Sequence, residues 1–179
     1  MFPLPFRNVA LGAALALTLA APALAAPALA APLPRVEADS MGGTHVVLPQ
    51  DASGKPLALL IAFTPESEAQ LKEWSKKIIA DNAGEKNAVY VVVVAANTAF
   101  FAHGKVRKIV QNAGIGTQDQ INQRVLLTFN GSGWKTLTPP GDKNTIGVVV
   151  ADASGNVEYA KRAAYNPANL ADVEKLLAK

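Results

Sequence analysis

Apolar and polar positions in this chain fall into blocks whose period switches between that of a strand and that of a helix. Residues 57–63 (LALLIAF) are a continuous apolar run, the pattern of a strand buried on both faces. Helix-start chemistry follows at once: Thr64 can cap, Pro65 suits the first helical position, and Glu66 suits the positive end of the dipole. Ser67 and Gln70 offer a capping box one turn later. Leu71, Trp74 and Ile78 recur at helical spacing and are predicted to face a sheet. Residues 88–95 contain four consecutive valines, which lose little freedom in a strand and more in a helix.

The pattern then predicts a second helix from Asn97 or Thr98 to about Ala113, with Phe101, Val106, Ile109 and Val110 on its apolar side and Gly114 as its stop. Residues 124–129 (RVLLTF) read as a strand ended by the turn Asn130-Gly131-Ser132-Gly133. Residues 146–151, a turn at 152–156 and residues 157–161 read as a hairpin. Asn166 caps a last helix with Pro167 at its first position and Leu170, Val173, Leu176 and Leu177 facing inward. A short strand is predicted at 44–48. Strand–helix alternation implies parallel strands with helical crossovers, and the closing hairpin adds antiparallel pairing, so the class is α/β.

The first residues read as an export signal. Arg7 precedes a core of about a dozen apolar residues at 9–20, too short for the roughly 20 that a membrane helix needs. Ala23-Leu24-Ala25 and Ala28-Leu29-Ala30 are small-residue cleavage patterns, and cleavage after Ala25 is favoured because it lies nearer the apolar core and makes Ala26 the first residue. An uncleaved anchor is the alternative; lipid attachment is excluded because there is no cysteine. The expected division is a signal peptide at 1–25, an extended, solvated Ala/Pro-rich segment at 26–41, and one domain at 42–179.

Losing Arg7 lowers the net charge from +3 by one, so the charge balance does not indicate a nucleic-acid binder. The expected location is periplasmic or secreted. There disulfides are available, yet the chain has no cysteine and must rely on its apolar core.

Several stretches resemble the thioredoxin-like superfamily, in the peroxiredoxin and exported-thioredoxin layout. Residues 46–63 (VVLPQDASGKPLALLIAF) resemble the family's entry segment, D-x-x-G-K turn and first core strand. Residues 146–158 (IGVVVADASGNVE) resemble its closing hairpin. The resemblance covers roughly residues 42 to 178. It implies a three-layer fold: a mixed central sheet, flanking helices, and a C-terminal β-hairpin plus helix. The chain also resembles cysteine-free members of this superfamily, including the mitochondrial ATP synthase assembly factor group and small periplasmic proteins.

In the family the catalytic cysteine lies after the first core strand, at the start of the next helix. Thr64-Pro65-Glu66-Ser67 looks like the peroxiredoxin T-P-x-C motif with serine in the cysteine's place. A helix start lowers a thiol's pKa into a useful range, whereas a serine hydroxyl is far less acidic and cannot do peroxide or disulfide chemistry. The family's cis proline is missing too: the corresponding place reads Asn144-Thr145-Ile146, with Pro139 and Pro140 several residues earlier.

Other candidates are weaker. Ser67 as a nucleophile needs a base that neither His45 nor His103 visibly supplies. Ser132 does not match G-x-S-x-G and reads as a turn residue. A shared site for His45 and His103 needs them to meet, with carboxylates added. Asp152, Ser154, Asn156 and Glu158 alternate oxygen side chains, but their glycine falls in the wrong place for a calcium loop, which favours a hairpin turn. Gly114-Ile115-Gly116 lacks the strand a nucleotide site requires. Lys105, Arg107 and Lys108 beside Phe100 and Phe101 read as a solvated helix face, and Trp134 as packing over the sheet edge.

The expectation is a redox-inert protein of the cell envelope that acts by binding, in an assembly or chaperone-like role. Its predicted surface is Thr64, Pro65, Glu66, Ser67 and Glu68, with no catalytic residue, metal or cofactor. The expected partner is a protein, with no nucleic acid and no stable membrane insertion after cleavage. A non-thiol enzyme using Ser67, Glu66 or Glu68 and a purely structural envelope protein are the alternatives.

Overall fold

The computed structural model describes residues 31–52, 54–81, 86–95, 104, 107–108, 111 and 116–179. Seven strands form one sheet: β1 (Val36–Ser40), β2 (His45–Leu48), β3 (Leu57–Ala62), β4 (Ala88–Val94), β5 (Val125–Thr128), β6 (Ile146–Ala151) and β7 (Val157–Ala163), in the spatial order β2-β1-β5-β4-β3-β6-β7. β3, β4 and β5 run parallel at the centre. β1 with β2 on one side, and β6 with β7 on the other, add antiparallel pairing. Among the described residues the α-helices with defined bounds are α1 (Glu68–Asp81), α2 (Gln118–Arg124), α3 (Gly131–Thr136) and α4 (Pro167–Leu177).

The apolar runs fold as their pattern dictates. Every residue of β3 and of β6 is buried, as strands covered on both faces require. One face of the sheet packs Leu71, Trp74 and Ile78 of α1, Ile121 of α2 and Val173 and Leu177 of α4. The other packs Trp134 and Leu137, at and just beyond α3, with Val36, Ala38, Val46 and Leu48 of the β1–β2 pair. α4 starts as predicted: Asn166 is its cap, accepting from the Asn169 amide at 2.8 Å, and Pro167 is its first residue.

Three elements differ from the sequence reading. Residues 36–40, assigned there to a solvated tail, are a strand paired to both β2 and β5. α2 opens on a capping box, Thr117 accepting from the Gln120 amide while the Gln120 side chain accepts from the Thr117 amide. The expected turn at Gly131-Ser132-Gly133 is the first turn of α3. Trp134 is buried in it, and a Cβ on Gly131 would come within 2.7 Å of Val94. Of the second predicted helix, most lies outside the described residues; Gly104, Arg107, Lys108 and Gln111 are helical.

The segment before β1 is also part of the fold. The Ala31 carbonyl accepts from the Val157 amide at 2.8 Å, and the Leu33 amide donates to Gly155 at 2.8 Å. Pro32 bridges Asn156, and Leu33 is 5% exposed. This strap covers the outer edge where β7 begins, and Gly155 reaches it from a turn at φ 82° that suits glycine. At the opposite edge the Val47 amide of β2 donates to Asp51 at 2.6 Å. Covered edges of this kind oppose strand-to-strand association.

Burial of Leu33 is worth about 1.5–3 kcal/mol by transfer, an upper figure. A chain starting at residue 36 is therefore expected to melt roughly 3–12 °C below one starting at residue 31. Thermal denaturation followed by circular dichroism checks this; equal melting points would make the strap a passive tail.

Candidate functional site

The sheet delivers three loops to the carboxyl ends of its parallel strands, where open α/β sheets place ligands. The chain leaves β3 at Phe63, is extended at Thr64 (φ −144°, ψ 154°), and makes a 3-10 turn at Pro65–Ser67 before α1 begins at Glu68. The predicted site is thus at a helix start after the first core strand, but its side chains are used differently from the prediction.

Thr64 does not cap. Its hydroxyl donates across the site to the Lys143 carbonyl at 2.5 Å. Ser67 is fully buried, and its hydroxyl donates to the Thr64 carbonyl at 2.7 Å. No capping box joins Ser67 to Gln70, whose side-chain carbonyl instead accepts from the Tyr165 amide at 2.5 Å. Pro65, Glu66 and Glu68 are exposed. Glu66 lies 3.6 Å from the Lys143 ammonium. Its own backbone N–H, more than Lys143, holds its carboxyl below the usual carboxylate range.

The facing loop, residues 142–145, is rigidly built. The Asp142 carboxylate accepts from the Asn144 amide at 2.6 Å, and the Asp142 carbonyl accepts from the Thr145 hydroxyl at 2.6 Å. Behind it, the Arg162 guanidinium of β7 stacks over the Phe63 ring at 4.1 Å and donates to the Thr145 carbonyl at 3.5 Å. Burial lowers the pKa of this guanidinium. The two loops are therefore tied by a hydroxyl, an ion pair and a stacked arginine. No proline lies between Asn144 and Ile146; among the described residues the cis bond is Leu48–Pro49, before β3 rather than at this end.

Chemically, the arrangement offers surface carboxylates and no activated nucleophile. Ser67 is buried, its hydroxyl donates to a backbone carbonyl, and among the described residues no base is bonded to it. Ser132, exposed in α3, donates to the Asn130 side chain at 2.8 Å. His103, Phe100, Phe101, Lys105 and most of Gly114-Ile115-Gly116 lie outside the described residues. Arg107 donates to the Met41 carbonyl at 3.3 Å, so this cation of the basic cluster is docked on the domain. Among the described residues no three metal-ligating side chains converge.

Asp152 accepts from the Ser154 and Asn156 amides at 2.9 and 2.8 Å, which makes residues 152–156 the hairpin turn that the glycine placement favoured. The Asn156 amide, foremost, lowers the Asp152 pKa. Trp134 packs inside, its indole N–H donating to the Glu37 carbonyl at 3.1 Å.

The sequence reading missed a groove of about 460 Å³ between the β1–β2 pair and the end of β5. Arg35, Glu37, Asp39 and His45 form its charged wall, while Phe129 and Ser132 lie on the other side. The signal was present: charges at 35, 37 and 39 alternate with Val36, Ala38 and Ser40, a strand's period. A larger concavity, about 1020 Å³, lies at the opposite end of the sheet beside Pro56, Ser154 and Lys179, away from the start of α1.

No family model matches the chain, and no curated protein matches it. Solved structures do. A thiol:disulfide interchange protein of the thioredoxin family from Chlorobium tepidum superposes with TM-score 0.59 at 16% identity, over 86% of this chain and 97% of that one. The pneumococcal exposed lipoprotein thioredoxin from Streptococcus pneumoniae gives 0.55 at 17%, over 80% and 100%. A secreted disulfide oxidoreductase from Mycobacterium tuberculosis gives 0.52 at 18%, over 80% and 94%. Among the described residues no helix is long and apolar enough to cross a membrane. The chain has the thioredoxin-like α/β fold of these thiol-disulfide proteins, without a cysteine to perform their chemistry.

Proposed function

We propose that this chain is exported to the cell envelope and works there as a redox-inert thioredoxin-fold protein that binds a protein partner, in an assembly or chaperone-like role. One observation carries the reading. At the helix start after the first core strand the chain has Ser67, fully buried and bonded to the Thr64 carbonyl, in a sequence with no cysteine. The residues left for contact are Pro65, Glu66 and Glu68, held in place by Thr64 and Ser67 from within. A fixed loop binds without first paying to be ordered. Two exposed acids suit a partner that presents basic side chains.

Catalysis by the same loop is the weaker reading. A general acid needs a carboxyl that holds its proton near neutral pH, and Glu66 is shifted in the opposite sense. Export is supported by the charged, apolar and small-residue blocks of residues 1–30. It is also supported by fold neighbours described as secreted or exposed.

Two outcomes are expected. In pull-downs of the tagged protein from its own envelope fraction, the double variant Glu66→Lys/Glu68→Lys should recover several-fold less of the partner captured by the wild type. Its melting point should stay nearly unchanged, as for most surface substitutions. A lower melting point with full partner recovery would make the loop structural and move the contact surface elsewhere.

The second outcome concerns the amino terminus. Mass spectrometry of protein from the native host should find Ala26 first, or else Ala31; either leaves the 31–33 strap in place. An intact Met1 on envelope protein would mean an anchor. A cytoplasmic intact form would remove the export claim.

A further inference from the structure

β2 is the most exposed strand of the sheet to loss. It has four residues, and among the described residues its ladder partner is β1 alone. Across that pair runs a chain of charges. Arg35 contacts Glu37 at 2.7 Å, His45 Nε2 lies 3.6 Å from Glu37 Oε2, and His45 Nδ1 lies 2.9 Å from Asp39. Asp39 and His45 are direct cross-strand partners.

The imidazole can serve both carboxylates only when both ring nitrogens carry protons. As neutral imidazole with Nδ1–H donating to Asp39, it turns a lone pair toward the Glu37 carboxylate. The contact then changes from attraction to repulsion. We propose that His45 is a protonation-controlled latch on this sheet edge: as imidazolium it clamps β2 to β1 through Asp39 and Glu37, and as neutral imidazole it releases Glu37 and loosens the hairpin that walls the 460 Å³ groove.

The surroundings leave the ring in control. On β1 the facing charges are Arg35, Glu37 and Asp39, and Arg35 is committed to Glu37. Beyond β2, Asp51 is occupied by the Val47 amide. Arg107, near the hairpin turn, donates to Met41. The opposite groove wall contributes Thr128, Asn130 and Ser132, which carry no charge. The direction is consistent: the Asp39 hydrogen bond, foremost, and the charges of Asp39 and Glu37 raise the His45 pKa above 6.5. A raised folded-state pKa means the added stability is complete below the unfolded value. It is lost as pH rises through the folded one.

Amide hydrogen exchange on the whole protein tests this, at about pH 5.5 and about pH 8, corrected for intrinsic exchange. The amides of β1 and β2 should be several-fold less protected at the higher pH, with β3 and β6 unchanged. His45→Gln should abolish that difference. Glu37→Gln, which keeps the ring and the fold, should shrink it and lower the midpoint of the His45 ring titration followed by NMR. Equal hairpin protection at both pH values in the wild type would overturn the latch. So would the same pH dependence in His45→Gln, or an unmoved titration midpoint in Glu37→Gln.

Discussion

Burial of β3 on both faces is the constraint on which the rest of the molecule depends. Its six residues are all buried, with β4 paired to one edge and β6 to the other. A chain without disulfides obtains its stability from burying apolar area, at about 25 cal/mol per Å². Here that burial converges on the strand whose carboxyl end launches the Thr64 loop and α1. Whatever holds β3 therefore also fixes the loop and the helix α1 that packs back on this strand.

The loop in turn is closed from within. Polar groups that could act on a ligand are used on the protein itself: the Thr64 hydroxyl on Lys143, the Ser67 hydroxyl on Thr64, and the Gln70 amide carbonyl on Tyr165. Arg162 stacked on Phe63 fills the space behind. A thioredoxin-like frame needs an exposed, acidic thiol here for redox work. This chain instead has a buried hydroxyl under an acidic surface.

Much of the frame was legible because the strongest signals are local. The runs at β3, β4 and β6 and the Asn166-Pro167 start of α4 need only neighbouring residues to be read. β1 was hidden because its inward side chains are Val36, Ala38 and Ser40, which give little apolar weight beside the exposed Glu37 and Asp39. α2 buries only Ile121, so it shows no periodicity, although Thr117 and Gln120 spell a capping box. α3 starts on two glycines with poor helix propensity and exists because Trp134 is buried and Gly131 lets its backbone approach Val94. The position of Thr64–Glu68 was readable, but its use was not. Thr64 meets Lys143 across 79 residues, and His45 meets Asp39 only through strand register.

Single cysteines at adjacent positions test the central claim most directly. Ser67→Cys should resist alkylation in the folded protein and react only on unfolding, because that side chain points into the core. Glu68→Cys, exposed as the first residue of α1, should react readily, with a thiol pKa below the ordinary value for cysteine. Folded Ser67→Cys reacting as fast as Glu68→Cys would contradict the account, since the helix start would then be an open site rather than a sealed one.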